Sequence, residues 1–134
     1  MVGATDTDSN EVAVVRSMWS AFDREGLEGI LDAAAPDATW EPYSAGGRRF
    51  ESTEEYREYI RGMAERHEVV EARLAEIEQR GEWVVVSGTL RVRRPGALQD
   101  STMHWAHRIV GGQVIYTASY ASRERALEAA GITG

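Results

Sequence analysis

His107 lies in the run Met103-His-Trp-Ala-His-Arg-Ile-Val110 and is the side chain of this sequence best suited to moving a proton. Imidazole is the group whose unperturbed titration falls near neutral pH. The glycines at 111 and 112 follow, between two runs rich in β-branched and aromatic residues. Both glycines can take the positive φ of a two-residue type I′ turn, so the spacing predicts a hairpin of strands 102–110 and 113–120. Simple antiparallel register then sets Ile109 against Val114, His107 against Tyr116, Trp105 against Ala118 and Met103 against Tyr120, all on one side. The other side carries His104, Ala106, Arg108, Ile115, Thr117 and Ser119. The first face is bulky, apolar and aromatic with one imidazole in it, which is the composition of a pocket wall. Burial there would lower the histidine pKa and leave a neutral ring able to act as base or donor. A histidine merely satisfied by Tyr116 or a backbone carbonyl would show the same pattern.

Glu41, in Thr39-Trp-Glu-Pro-Tyr43, is the second candidate for chemistry, as a base or an acceptor for a ligand. A solvated carboxylate ahead of a proline turn would look no different. A metal site is not expected: His104 and His107 are three apart on a strand and point to opposite faces, and His67 sits where a helix end wants a cap. The chain has no cysteine and all fifteen of its basic residues are arginine. That excludes disulfides, thiolate ligands, a cysteine nucleophile and Schiff-base chemistry. Met18, Trp19, Phe22, Trp40, Tyr43, Tyr56, Tyr59, Met63, Trp105, Tyr116 and Tyr120 combine apolar bulk with a few polar tips. Such a set suits a cavity for a small hydrophobic or aromatic molecule, and no cofactor is called for.

The elements that must hold these residues follow from periodicity and turn signals. Ser9 can cap a helix whose Val12, Val15, Trp19 and Phe22 share one face, with Val14 and Met18 widening it. Gly26 breaks that helix, and 27–35 reads as a second, short one ended by Pro36-Asp37. Residues 39–43 and 48–50 flank Ser-Ala-Gly-Gly and read as a short strand pair on an edge, because Pro42 cannot donate to a central ladder. Ser52 with Glu55 makes a capping box for a third helix running to about His67, with Tyr56, Tyr59, Ile60 and Met63 on its apolar face. Segment 69–79 carries helix-favouring residues, yet its setting favours a strand. Strand 83–93 is clearer, with Val84, Val86, Gly88, Leu90 and Val92 on one face and Ser87, Thr89, Arg91 and Arg93 on the other.

One domain is expected over 10–134, behind a flexible or disordered tail of residues 1–9, in an α+β layout of helices against a mostly antiparallel sheet. A length of 134 residues is enough to bury a core without a disulfide or metal. The net charge of −7 and isoelectric point near 5.0 argue against a nucleic-acid or anionic-membrane partner. No run approaches a membrane span and the N-terminus lacks an apolar leader, so the expected location is cytoplasmic.

This order of elements resembles the SnoaL-like branch of the nuclear transport factor 2-like superfamily, whose fold is shared with ketosteroid isomerases, limonene epoxide hydrolases and polyketide cyclases. The similarity runs from Glu11 to Gly131 and is carried by Gly26-Leu-Glu-Gly-Ile-Leu31, Asp37-Ala-Thr-Trp-Glu-Pro42, Gly81-Glu-Trp-Val-Val-Val86 and the segment 120–131. The resemblance implies a cone-shaped, curved, mixed sheet with three helices packed on its concave face, a deep apolar cavity, and a homodimer through the outer sheet face. It does not imply one activity. Met18 and Trp105 stand where ketosteroid isomerases have their oxyanion donors, and Pro42 where they have the base, with Glu41 beside it. Arg91, Arg93 and Arg108 are expected to face away from the cavity, so an epoxide-hydrolase constellation has no counterpart. Polyketide cyclases pair a strand aspartate with a histidine, and His107 here has no such acid. The resemblance leaves two readings: a cofactor-free cyclase, isomerase or dehydratase working through His107 with Glu41, or a non-catalytic ligand-binding or structural dimeric domain.

Overall fold

The computed structural model describes residues 9–43 and 48–131. Most of the expected 1–9 tail and the Ser-Ala-Gly-Gly turn at 44–47 therefore lie outside the described residues. Helix α1 (Asn10–Glu25) begins where the Ser9 hydroxyl accepts the Val12 N–H at 3.1 Å and buries Val12, Val15, Met18, Trp19 and Phe22. Gly26, at φ 85°, turns the chain into a 3₁₀ helix, Leu27–Ala33. That helix packs so tightly on α1 that a Cβ on Gly29 would stand 2.4 Å from the Ala21 carbonyl oxygen.

Strand β1 (Ala34–Glu41) starts before Pro36, where a helix end was expected. A proline is tolerated because β1 is an edge strand whose pairing with β5 lapses between Ala34 and Thr39, so no ladder donor is missed. Among the described residues the expected edge hairpin has one antiparallel bridge, Trp40 to Phe50, with N–H···O distances of 2.9 and 2.8 Å. Helix α2 (Thr53–Glu65) opens with the Ser52 hydroxyl on the Glu55 N–H at 3.1 Å, while the Glu55 carboxylate takes the Glu51 N–H at 3.3 Å. It ends at His67, whose φ of 61° is the left-handed conformation that usually falls to glycine.

Four long strands follow: β2 (Val69–Arg80), β3 (Trp83–Arg94), β4 (Ala97–Val110) and β5 (Gln113–Tyr120). The sheet order is β1-β5-β4-β3-β2, with β1 parallel to β5 and every other pair antiparallel. Segment 69–80 is a strand because it pairs with β3 along its whole length, which overrides its helix-favouring composition. Helices α1 and α2 and the 3₁₀ helix share one core cluster with Val84, Val86, Met103, Trp105 and Ile109 of the sheet. Helix α3 (Arg123–Ala129), whose cap is the Ser122 hydroxyl on the Arg125 N–H at 3.1 Å, packs Ala126 and Ala130 on Val85 of the opposite face.

The β4–β5 hairpin closes at Gly111 and Gly112, with φ of 61° and 79°, and sets Ile109 opposite Val114 as expected. The next pair is Arg108 with Tyr116, so Ile115 is the extra residue of a bulge. Side chains alternate with period two, and one added residue exchanges the faces of everything beyond it. His107 is therefore opposite Thr117 and Trp105 opposite Ser119. Thr117 and Ser119 join the inner face, and Tyr116, Ala118 and Tyr120 go outside, the reverse of the simple register.

Candidate functional site

Between the helices and the inner sheet face lies a cavity of about 70 Å³. Its wall includes eight of the expected residues: Trp19, Phe22, Trp40, Tyr56, Tyr59, Met63, Trp105 and His107. Aromatic packing fixes much of it, with Trp19 edge-on to Trp105 at 4.8 Å between ring centres and Trp40 stacked on Tyr56 at 4.8 Å. The Trp40 indole donates to Thr53 Oγ1 at 3.2 Å, and that hydroxyl donates to the Ala35 carbonyl at 2.6 Å, so the polar edge of Trp40 is already satisfied.

Five expected residues are elsewhere. Met18 is buried in the surrounding core without reaching the cavity. Tyr43 is exposed, and its contribution is a backbone N–H that donates to Ser119 Oγ at 2.7 Å. Tyr116 and Tyr120 lie on the outer face through the bulge at Ile115. Glu41 follows Trp40 on β1 and so points away from the cavity, where its carboxylate accepts the Tyr116 phenol and has Arg49 Nη1 at 3.9 Å. Burial, and then the bond to Glu41, raise the Tyr116 pKa above the ordinary phenol value. Glu41 and His107 are thus not brought together.

His107 is fully buried. The Trp19 indole N–H lies 3.3 Å from its Nε2, and Thr117 Oγ1 lies 2.9 Å from its Nδ1. Indole nitrogen is a donor only, so Nε2 must present its lone pair to Trp19. Burial holds the pKa down to about 3, which keeps the ring neutral at physiological pH, and its single proton then belongs on Nδ1. The assignment makes Nδ1–H donate to Thr117. The partners of His107 are therefore Trp19 and Thr117, not Tyr116.

Among the described residues no group of three or more histidine, aspartate or glutamate side chains is arranged to hold a metal ion. His104 faces outward with Nδ1 2.7 Å from Ser87 Oγ, and its pKa is lowered by burial and then by Arg123. His67 ends α2 through its backbone N–H, which bonds Ala64 O at 3.0 Å, and its imidazole has no hydrogen-bond partner among the described residues. Arg91 is clamped by Asp100 at 2.7 and 3.1 Å, Arg93 bonds Glu71 at 3.1 Å and Arg108 bonds Glu82.

The wall also contains residues not expected there: Leu27 and Ile30 of the 3₁₀ helix, Pro42, Val70, Leu90, Val92, Met103, Thr117 and Ser119. The alternation of β3 grouped Leu90 and Val92 on one face, which the structure turns inward, whereas the two hydroxyls were hidden by the bulge. Glu68 and Arg94 complete the lining, 3.9 Å apart, with the Arg94 side chain 45% exposed. They mark where the cavity meets solvent. Among the described residues no helix is long and apolar enough to cross a membrane.

A mixed sheet wrapped around α1, α2 and a 3₁₀ helix, with an aromatic cavity between them, is the nuclear transport factor 2-like fold. The model of the SnoaL-like domain matches residues 15–117, and the chain belongs to that family. It is similar to an NTF2-like protein of unknown function from Burkholderia pseudomallei K96243, at 24% identity over 90% of this chain and 97% of that one, with a TM-score of 0.74. It is similar also to TerC, co-crystallised with polyporic acid, at 18% identity over 90% and 97% of the two chains and a TM-score of 0.74. An LEH-like epoxide hydrolase of M. tuberculosis shares 15% identity over 89% and 87% of the chains, with a TM-score of 0.71. Likeness at these identities concerns the fold. No curated protein matches the sequence.

Proposed function

We propose that the chain binds a small hydrophobic or aromatic molecule in the cavity between its helices and the inner sheet face. The observation that carries this reading is a wall of Trp19, Phe22, Trp40, Tyr59, Leu90 and Trp105 that leaves a void of about 70 Å³ between them. A ring the size of benzene occupies a cavity of about 150 Å³, so entry requires side chains at the mouth to move. Arg94 is the freest of these. TerC, on the same fold, was co-crystallised with polyporic acid, which supports an organic ligand here.

Cofactor-free isomerase, cyclase or dehydratase chemistry would use His107 as proton acceptor. Its Nε2 lone pair is held by Trp19, its pKa is near 3, and Glu41 is outside the cavity, so the geometry favours binding without turnover. Titration with ethylbenzene followed by tryptophan fluorescence tests the reading, because Trp19, Trp40 and Trp105 all line the site. A saturable change is expected. A response that stays linear to the solubility limit removes the cavity as a binding site.

A homodimer through the outer sheet face belongs to the same proposal. Beside α3 that face keeps Val69 and Leu98 exposed among the Arg91–Asp100 and Arg93–Glu71 pairs, a mixed surface able to meet its own copy. A monomer by sedimentation at micromolar concentration refutes this part.

A further inference from the structure

We propose that the ligand presents a carbonyl oxygen to Thr117, and that His107 is the positioning residue that turns the Thr117 hydroxyl into a donor. The inference rests on the cavity being a binding site and names what that site selects. The chain of bonds runs in one direction. Trp19 donates to His107 Nε2, which places the imidazole proton on Nδ1, and Nδ1–H donates to Thr117 Oγ1. Thr117 has thereby accepted a proton from the protein, and its own O–H has no acceptor among the described residues. The residue is 7% exposed and lines the cavity.

A buried hydroxyl proton without an acceptor is unfavourable, and the open side of Thr117 is the ligand space. Ser119, two residues along the same inner face and 8% exposed, is in the same condition. Its oxygen accepts the Tyr43 N–H at 2.7 Å, which leaves its O–H for the cavity. Glu68 is the carboxylate in the lining, and Arg66 and Arg94 already flank it at 3.0 and 3.9 Å. The wall thus offers donors without a free anionic acceptor, which selects a neutral molecule with an acceptor oxygen over an amine. A carbonyl on an aromatic ring meets both demands, its ring against the indoles and its oxygen on Thr117.

The test is calorimetric titration of the whole chain, wild type, Thr117→Val and Thr117→Ser, with acetophenone and with ethylbenzene, which keeps the ring and lacks the oxygen. Thr117→Val should weaken acetophenone about 3- to 10-fold and leave ethylbenzene within twofold, and Thr117→Ser should keep the wild-type values. Equal effects of Thr117→Val on both probes, or none on either, overturn the donor assignment while the cavity reading stands. Failure of both probes to bind the wild type overturns the cavity reading and this inference with it. Two readouts on the wild type stand apart from how the variants fold. The carbonyl stretch of bound acetophenone should move to lower frequency than in hexane, and ¹⁵N NMR of His107 should find the proton on Nδ1. An unshifted stretch, or a proton on Nε2, refutes the proposal.

Discussion

Trp19 and His107 stand 88 positions apart in the chain, and the indole N–H of the first meets Nε2 of the second across 3.3 Å in the cavity wall. The contact ties α1 to β4 and satisfies two buried groups with each other. Trp19→Phe keeps an aromatic ring for Trp105 but leaves Nε2 unpaired, and should lower stability by about 1–3 kcal/mol in urea denaturation. A loss below about 0.5 kcal/mol would show that the bond contributes nothing.

Burial of His107 makes stability depend on pH. In the unfolded chain the ring titrates near 6.5, and in the folded chain near 3, with burial as the cause and no charged side chain bonded to it. Between those values the unfolded state holds the extra proton. The stability is fully present above pH 6.5 and falls as pH drops toward 3, by up to about 1.4 kcal/mol per pH unit. The His107→Gln variant lacks this term, so its unfolding midpoint should change less between pH 7.5 and 5 than that of the wild type. Equal slopes would mean that His107 is protonated while folded.

Thr53 links β1 to α2 through one hydroxyl that accepts from Trp40 at 3.2 Å and donates to Ala35 O at 2.6 Å. Thr53→Val keeps the shape and removes both bonds, leaving a buried indole N–H and a carbonyl unpaired. A loss of about 2 kcal/mol is expected from chemical denaturation, and a neutral result would show that water replaces the hydroxyl.

The Glu68–Arg94 pair at the mouth is long, at 3.9 Å, with Arg94 half in solvent, and adds little to stability, roughly 0–1 kcal/mol. Its effect should be kinetic. Glu68→Gln loosens Arg94, so the association rate for ethylbenzene in stopped-flow fluorescence should rise with the midpoint of unfolding nearly unchanged. An unaltered rate would place the entrance elsewhere.

His67 holds φ 61° with its imidazole unpartnered among the described residues, so the ring gives little return for a conformation that is costly to non-glycine residues. His67→Gly should stabilise the chain by up to about 1 kcal/mol, the larger entropy of unfolded glycine offsetting part of the gain. A lower thermal midpoint in the variant would show that the imidazole does hold the helix end.

Local rules made much of the fold legible. Ser9 and Ser52 cap the helices they were expected to cap, Gly111-Gly112 closes the hairpin, and the alternation of β3 groups Leu90 with Val92 on one face. The aromatic positions of α1 and α2 were readable because burial repeats at helical spacing. What was lost depends on events with no local signature. The bulge at Ile115 arises from how β5 meets β4, and it moved Tyr116 and Tyr120 out while bringing Thr117 and Ser119 in. Pro36 suggested a helix stop, yet it lies in an edge strand whose neighbour is eighty residues downstream. Glu68 and Arg94 come together across the gap between the end of α2 and the end of β3, and neither position carries a pattern of its own.

The extra residue in β5 also governs how this chain can be compared with others. Beyond Ile115 the odd positions 117 and 119 look inward and the even positions 116, 118 and 120 look outward. In a strand of equal length that paired without the bulge, the same alignment columns would present the opposite set, so an equivalence drawn column by column would match wall to exterior. Loss of Ile115 itself would leave Arg108 opposite Tyr116 and His107 opposite Thr117, whereas a slip of the pairing at constant length would exchange the two hydroxyls for the rings of Tyr116 and Tyr120. For this strand the pairing register, more than any single side chain, sets the character of the interior.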